Sequence, residues 1–176
     1  MDESELAAAA TRGDRHAMAL LIERQQRALY ASAVTLLGSS WDAHDAVQAA
    51  LTEACASIGT LRDPSKVRPW LAQILVNKCR DTLRDRKRVS PVGDAEHLAE
   101  MEVFLGSEDD RDLREAIRTL SEERRLVVVL RFFLDLNYEE MAAVTGCPVG
   151  TVKSRVYRAI RELRGQVRAA GGSAHG

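Results

Sequence analysis

Apolar residues recur at three- and four-residue steps along most of this chain, the spacing that gathers them on one face of an α-helix. Between residues 15 and 37, Met18, Leu21, Ile22, Leu29, Ala33, Leu36 and Leu37 keep that step. Gly38 follows, as glycine commonly does just past a helix C-terminus. Ser39 and Ser40 offer caps for a next helix over about 41–58. After a polar loop at 59–65, Val67, Trp70, Leu71, Ile74, Leu75 and Leu83 predict a helix over 66–88. Ser65 is its expected cap, and Pro69 is tolerated because it falls in the first turn. A short helix at 4–11, ended by Gly13-Asp14, precedes them all.

The pattern breaks from Val89 to Asp110, which contains Pro91, Gly93 and Gly106. This stretch reads as a linker with one short helix near 96–104. Helical spacing resumes at 111–120. Ser121 is placed to cap a helix over 122–134, whose run Leu126-Val-Val-Val-Leu130 alone would also suit a buried strand; its charged, unbroken flanks favour the helix. Asn137 followed by Glu140 has the capping-box spacing and predicts a helix over 138–145. The turn Gly146-Cys147-Pro148 leads into a last helix from Val149, with Val152, Val156, Ala159, Ile160, Leu163 and Val167 on one face. The tail 169–176 is small and polar and is expected to fray. The expected fold is all-α: an N-terminal helical bundle (1–88), a flexible acidic linker (89–110) and a C-terminal helix-turn-helix (111–170).

Composition narrows the class. An apolar share of 45% with 29% charged residues fits a soluble globular chain. No apolar run is long enough to cross a bilayer, and the start Met-Asp-Glu-Ser-Glu has none of the basic and oily character of a signal peptide. The expectation is a cytoplasmic protein without membrane insertion. Cys55, Cys79 and Cys147 are odd in number and far apart, which favours reduced thiols over a zinc site.

A net charge of −1 hides segregation. Residues 77–88 hold six Lys/Arg against two Asp, residues 149–168 six against one Glu, and residues 94–112 eight acids against one Arg. Two cationic surfaces flanking an acidic strip suit a protein that touches a polyanion in two places.

The C-terminal pair of helices has the outline of a helix-turn-helix, whose second helix enters a DNA major groove. Opposite the apolar stripe of that helix lie Thr151, Ser154, Tyr157, Arg158 and Arg161, with Lys153 and Arg155 on the flanks. Lysine and arginine can donate to guanine acceptors, threonine and serine can bond base or phosphate, and Tyr157 can pack on a thymine methyl. Arg155, Arg161 and Arg164 suit phosphate contacts, which position without specifying. The bland alternative is a solvated basic helix face. The cluster Lys78, Arg80, Arg84, Arg86, Lys87 and Arg88 reads equally as a solvated helix end or as a second phosphate-tracking surface. Beside Trp70, Asn77 and the polar loop at 59–66 it also permits capture of single-stranded bases. Asp42, His44, Asp45 and Gln48 share one amphipathic helix. A His–carboxylate base is one reading, but no nucleophile, metal set or phosphate loop accompanies it, so a protein-docking face is preferred, with no catalytic residue, metal or cofactor.

Taken together these residues resemble the extracytoplasmic-function sigma factors, the small two-domain initiation subunits of bacterial RNA polymerase. The resemblance runs from about Leu20 to Arg164 and rests on three stretches in order. They are Leu36-Leu37-Gly38…Asp42-Ala-His-Asp45-Ala-Val47-Gln48, then Val67-Arg-Pro-Trp70-Leu71…Asn77…Leu83-Arg84, then Leu120-Ser-Glu-Glu…Tyr138-Glu-Glu-Met-Ala…Gly146-Cys-Pro-Val-Gly-Thr-Val-Lys153-Ser-Arg155. The chain departs from the family pattern at Ala49, Cys55 and Val67. The resemblance implies that Asp42, Asp45, Val47 and Gln48 contact core RNA polymerase. It implies that Arg62, Ser65, Lys66, Trp70, Asn77, Lys78, Arg80 and Arg84 melt and hold the −10 element as single strand, and that Thr151, Lys153, Ser154, Arg155, Tyr157 and Arg158 read the −35 duplex. It further implies control by an anti-sigma factor. A stand-alone helix-turn-helix regulator and an enzyme built on the 42–48 helix remain the rival readings.

Overall fold

The computed structural model describes residues 1–89 and 108–173. The described residues are helical, in the order α1 Glu3–Thr11, α2 Arg15–Leu37, α3 Ser40–Ser57, α4 Val67–Val89, α5 Glu108–Thr119, α6 Glu122–Val128, α7 Tyr138–Thr145 and α8 Val149–Ser173. The expected short helix at 96–104 lies outside them.

Local chemistry sets the boundaries. Asp2 caps α1 in a reciprocal capping box with Glu5, and Asp14 caps α2 by accepting from the backbone N–H of His16 and Ala17. Gly38 ends α2 at φ 64°, a left-handed conformation that costs glycine nothing. Ser39 caps α3. Entry into α4 differs from expectation. A 3-10 turn, Pro64–Lys66, precedes it, and its cap is Asp63, not Ser65. The Asp63 carboxylate accepts from the Ser65 hydroxyl at 2.7 Å and from its backbone N–H at 3.0 Å. Those two bonds hold the carboxyl below its ordinary pKa.

The run 126–130 is helical, as its flanks required, but the helix loosens into a π turn at Val129–Phe133. The Leu134 N–H there reaches the Val129 carbonyl, and Asp135 adopts φ 53° to reverse the chain. Short acidic side chains tolerate that region better than most. The tail expected to fray is instead helical through Ser173.

Helices α1–α4 form the first module. Leu6, Leu21, Leu29, Leu75, Val67 and Val76 are fully buried within it. Helices α5–α8 form the second, with Val127, Val129, Leu130, Leu136, Met141 and Val152 at its centre. The two modules are in contact: α7 lies against α4, and α2 meets the π turn at 129–133, so their buried residues join one apolar cluster. Polar bonds run along the seam from Lys66 Nζ to Glu140 at 3.4 Å, from Arg68 to Asp135 at 3.2 Å and from Lys87 to Glu122 at 3.7 Å. A cavity of about 140 Å³ sits between the modules, lined by Val76, Cys79, Arg80 and Leu83 on one side and Glu122, Arg125 and Leu126 on the other.

Candidate nucleic-acid interface

The second module holds a helix-turn-helix whose two ends are chemically fixed. Asn137 and Glu140 form the expected capping box at the start of α7. Gly146 closes α7 at φ 70°, which turns the chain sharply into α8. Val152, Val156 and Ala159 are buried and seat α8 on α5, α6 and α7. Arg124 adds a 2.6 Å ion pair to Glu162 across α6 and α8. Arg125 donates to the carbonyls of Ile117, Arg118 and Leu120, which closes the C-terminal end of α5.

Seating α8 this way turns Lys153, Ser154, Tyr157 and Arg158 outward on its first three turns. Tyr157 is 67% exposed, an aromatic ring with no internal reason to be there. Thr151 is half-buried at the helix start. The structure separates Arg155 from these. Its guanidinium turns inward, 3.2 Å from Glu123 and 3.2 Å from the Cys147 sulfur. It braces the turn between α7 and α8.

On α4, Lys66 (at the turn before it), Trp70, Gln73, Asn77, Arg80 and Arg84 follow steps of three and four residues, so they share one face. Gln73 donates to the Asn77 side-chain carbonyl at 3.1 Å. Arg62 and Ser65 are exposed in the preceding loop. Trp70 is half-buried against the core and exposes only part of its ring. Lys78 lies off the stripe and pairs with Glu53 at 2.5 Å. The basic end of α4 is therefore partly self-neutralised, since Arg84 pairs with Asp81, Arg86 with Asp42 and Lys87 with Glu122.

On α3 the exposed face carries Trp41, His44, Asp45 and Gln48. Val47 is only 6% exposed. It falls on the Ala43–Val47–Ala50–Ala54 stripe that packs into the first module, so it supports α3 from behind. Asp42 is half-buried and held by Arg86.

Two family models match, Sigma-70 region 2 over residues 21–89 and Sigma-70 region 4 over residues 110–163. The chain is similar to RNA polymerase sigma factor SigV of Bacillus subtilis, 37% identical over 143 residues that make up 78% of this chain and 83% of that one. It is similar also to the ECF RNA polymerase sigma-E factor of Escherichia coli K12, 32% identical over 171 residues, 89% of each. The chain belongs to the extracytoplasmic-function sigma factors. The fold agrees. The structure of CnrH in complex with the cytosolic domain of CnrY superposes with a TM-score of 0.73 at 28% identity, covering 95% of this chain and 97% of that one. The sigma factor RpoE of Bartonella quintana, in complex with the anti-sigma factor NepR, superposes at 0.69 and 29% identity, covering 84% and 94%.

In this sigma factor the region 4 match contains the outward face of α8, and the region 2 match contains both the α3 face and the α4 stripe. Two residues went unassigned in the sequence. Trp41 is 67% exposed in the first turn of α3, on the face of Asp45 and Gln48. A large ring in an otherwise polar first turn was the available signal. Tyr138 stands at the start of α7 with the Lys153 ammonium 5.6 Å from its ring centre. Sequence spacing carries no signal for a contact between different helices.

Proposed function

We propose that this sigma factor is a non-catalytic specificity subunit that works in the cytoplasm. In this reading residues 1–88 clamp core RNA polymerase and hold the melted −10 strand, residues 89–110 connect, and residues 111–170 read the −35 duplex. The single observation that carries the division of labour is the outward, unneutralised face of Lys153, Ser154, Tyr157 and Arg158 on a helix-turn-helix. Asp45 and Gln48, with Trp41 beside them, are the polymerase contacts. Arg62, Ser65, Lys66, Trp70, Asn77, Arg80 and Arg84 are the −10 residues, Lys78 assisting from the flank. A solved relative bound to an anti-sigma factor supports control of this chain by such a partner.

The promoter elements impose a geometric demand. The −35 and −10 positions are separated by ~25 base pairs, about 85 Å of B-form duplex. The two modules touch, and a compact chain of this length has a radius of gyration of only about 16 Å. The seam between α4 and α7 must therefore open when both elements are bound. Run-off transcription with purified core polymerase tests the proposal: the chain should direct initiation from a selected promoter, and a repressor or enzyme would not.

A further inference from the structure

Lys153 is the cation nearest the start of α8, and among the described residues it forms no ion pair. Its ammonium lies 5.6 Å from the centre of the Tyr138 ring, within the range of a cation–π attraction. That ring is itself fixed. Its backbone sits in the capping box, where Glu140 N–H donates to Asn137 at 2.8 Å and Asn137 N–H donates to Glu140 at 3.1 Å. Its π system also faces the Arg131 guanidinium, whose carbon is 5.7 Å from the ring centre. Arg131 is anchored in turn by the Leu136 carbonyl at 3.2 Å and by Asp135 at 3.9 Å. The seat of the ring thus belongs to the π turn and to α7, not to α8.

Glu123 holds Arg155 in place but uses its charge and its donors. An aromatic face restrains a cation without neutralising it and leaves ammonium N–H groups that point away from the ring free to donate. A lysine otherwise sweeps freely on four carbons and loses about 2 kcal/mol of rotamer entropy when a single pose is required. Held over a ring, it reaches a base edge already ordered.

We infer that Tyr138 is a positioning residue for −35 recognition: its ring pre-places the Lys153 ammonium for a base edge, so a residue of the first helix of the motif sets how sharply the second helix discriminates. This rests on the reading of α8 as the −35 helix. Tyr138 itself need not touch DNA.

The test uses holoenzyme reconstituted from core RNA polymerase and the full chain, with a promoter library randomised over the −35 element. Removing the ring in Tyr138→Leu should flatten preference at the Lys153-dependent base by about two- to fivefold, the loss expected for an exposed cation–π contact. Tyr138→Phe should keep the wild-type profile. In a Lys153→Ala background Tyr138→Leu should change nothing further. The salt dependence of binding should not move, because the number of charges is unchanged. Fluorinated phenylalanines at position 138 keep the shape of the ring and weaken its negative face, so they should lower discrimination in graded steps even if Tyr138→Leu fails to fold. A Phe variant as poor as Leu would assign the role to the hydroxyl and overturn the inference. So would a Leu effect that persists without Lys153, or fluorination without effect. If wild-type holoenzyme selects no −35 sequence at all, the reading of α8 as the −35 helix fails instead.

Discussion

Arg86 grips the Asp42 carboxylate through Nε at 2.7 Å and through a second guanidinium nitrogen, and donates to the Leu37 carbonyl at 2.7 Å. One side chain near the end of α4 therefore ties down both the last turn of α2 and the first turn of α3. Helices α2, α3 and α4 are locked into one body at this point.

That tie separates two acids that look alike in sequence. Arg86→Ala should lower the unfolding free energy of the first module by about 1–2 kcal/mol, because it removes charge-assisted bonds that are only half-exposed. Asp45→Ala should leave urea unfolding within about 0.5 kcal/mol of wild type yet weaken binding to core polymerase by about thirtyfold, the scale of one interfacial hot spot. Equal stability loss in both variants would remove the distinction between brace and contact.

The seam between the modules is held by exposed ion pairs, each worth about 1 kcal/mol or less, over an apolar contact between α2 and the π turn. Reversing the charges with Glu140→Lys and Asp135→Lys sets two cations against Lys66 and Arg68. Small-angle scattering should then show a radius of gyration above the ~16 Å expected of a compact chain of this length. No expansion would mean that the pairs do not help to close the seam.

Cys79 offers a chemical report of the same event. It is 2% exposed and lines the inter-module cavity. Burial raises its thiol pKa to about 12, against a smaller opposing pull from Arg86. At pH 8 an alkylating agent should label exposed Cys55 first, half-buried Cys147 next and Cys79 last. The seam-opening variants should speed Cys79 alone. The raised pKa also fixes a sign. The native state holds this proton longer than the unfolded chain, so its contribution is complete below about pH 9 and is lost as pH climbs towards 12. If mass spectrometry finds Cys79 labelled as fast as Cys55 in the native protein, the burial that raises the pKa is absent.

Much of this arrangement could be read from residue order, for reasons local to the chain. Caps at Ser39 and Asn137 and turns at Gly38 and Gly146 act within a few residues, so spacing alone places α3, α7 and the end of α2. The outward face of α8 follows from its apolar stripe by the same periodicity. What spacing could not supply was partnership. Val47, Asp42 and Arg155 have the residue types of contact surfaces, but tertiary packing directs the first inward and gives the others the partners Arg86 and Glu123. The π turn at 129–133 was hidden because its residues are as apolar as those of an ordinary helix.

Gly146 joins the two helices of the DNA-reading motif at φ 70°, and a Cβ added there would meet no atom within 4 Å. The cost of Gly146→Ala is therefore purely conformational, about 1–2 kcal/mol for placing an L-residue in the left-handed region, and should appear as a lower midpoint in urea without loss of helicity. Arg158→Ala, one turn beyond the Lys153 site and outward-facing, should do the reverse. Stability should hold while binding to a −35 duplex weakens by about 1–3 kcal/mol, with affinity for core polymerase unchanged. Gel-shift titration of the duplex beside a polymerase pull-down separates the two. A parallel fall in both would mean that α8 does not act on DNA independently of the polymerase contact.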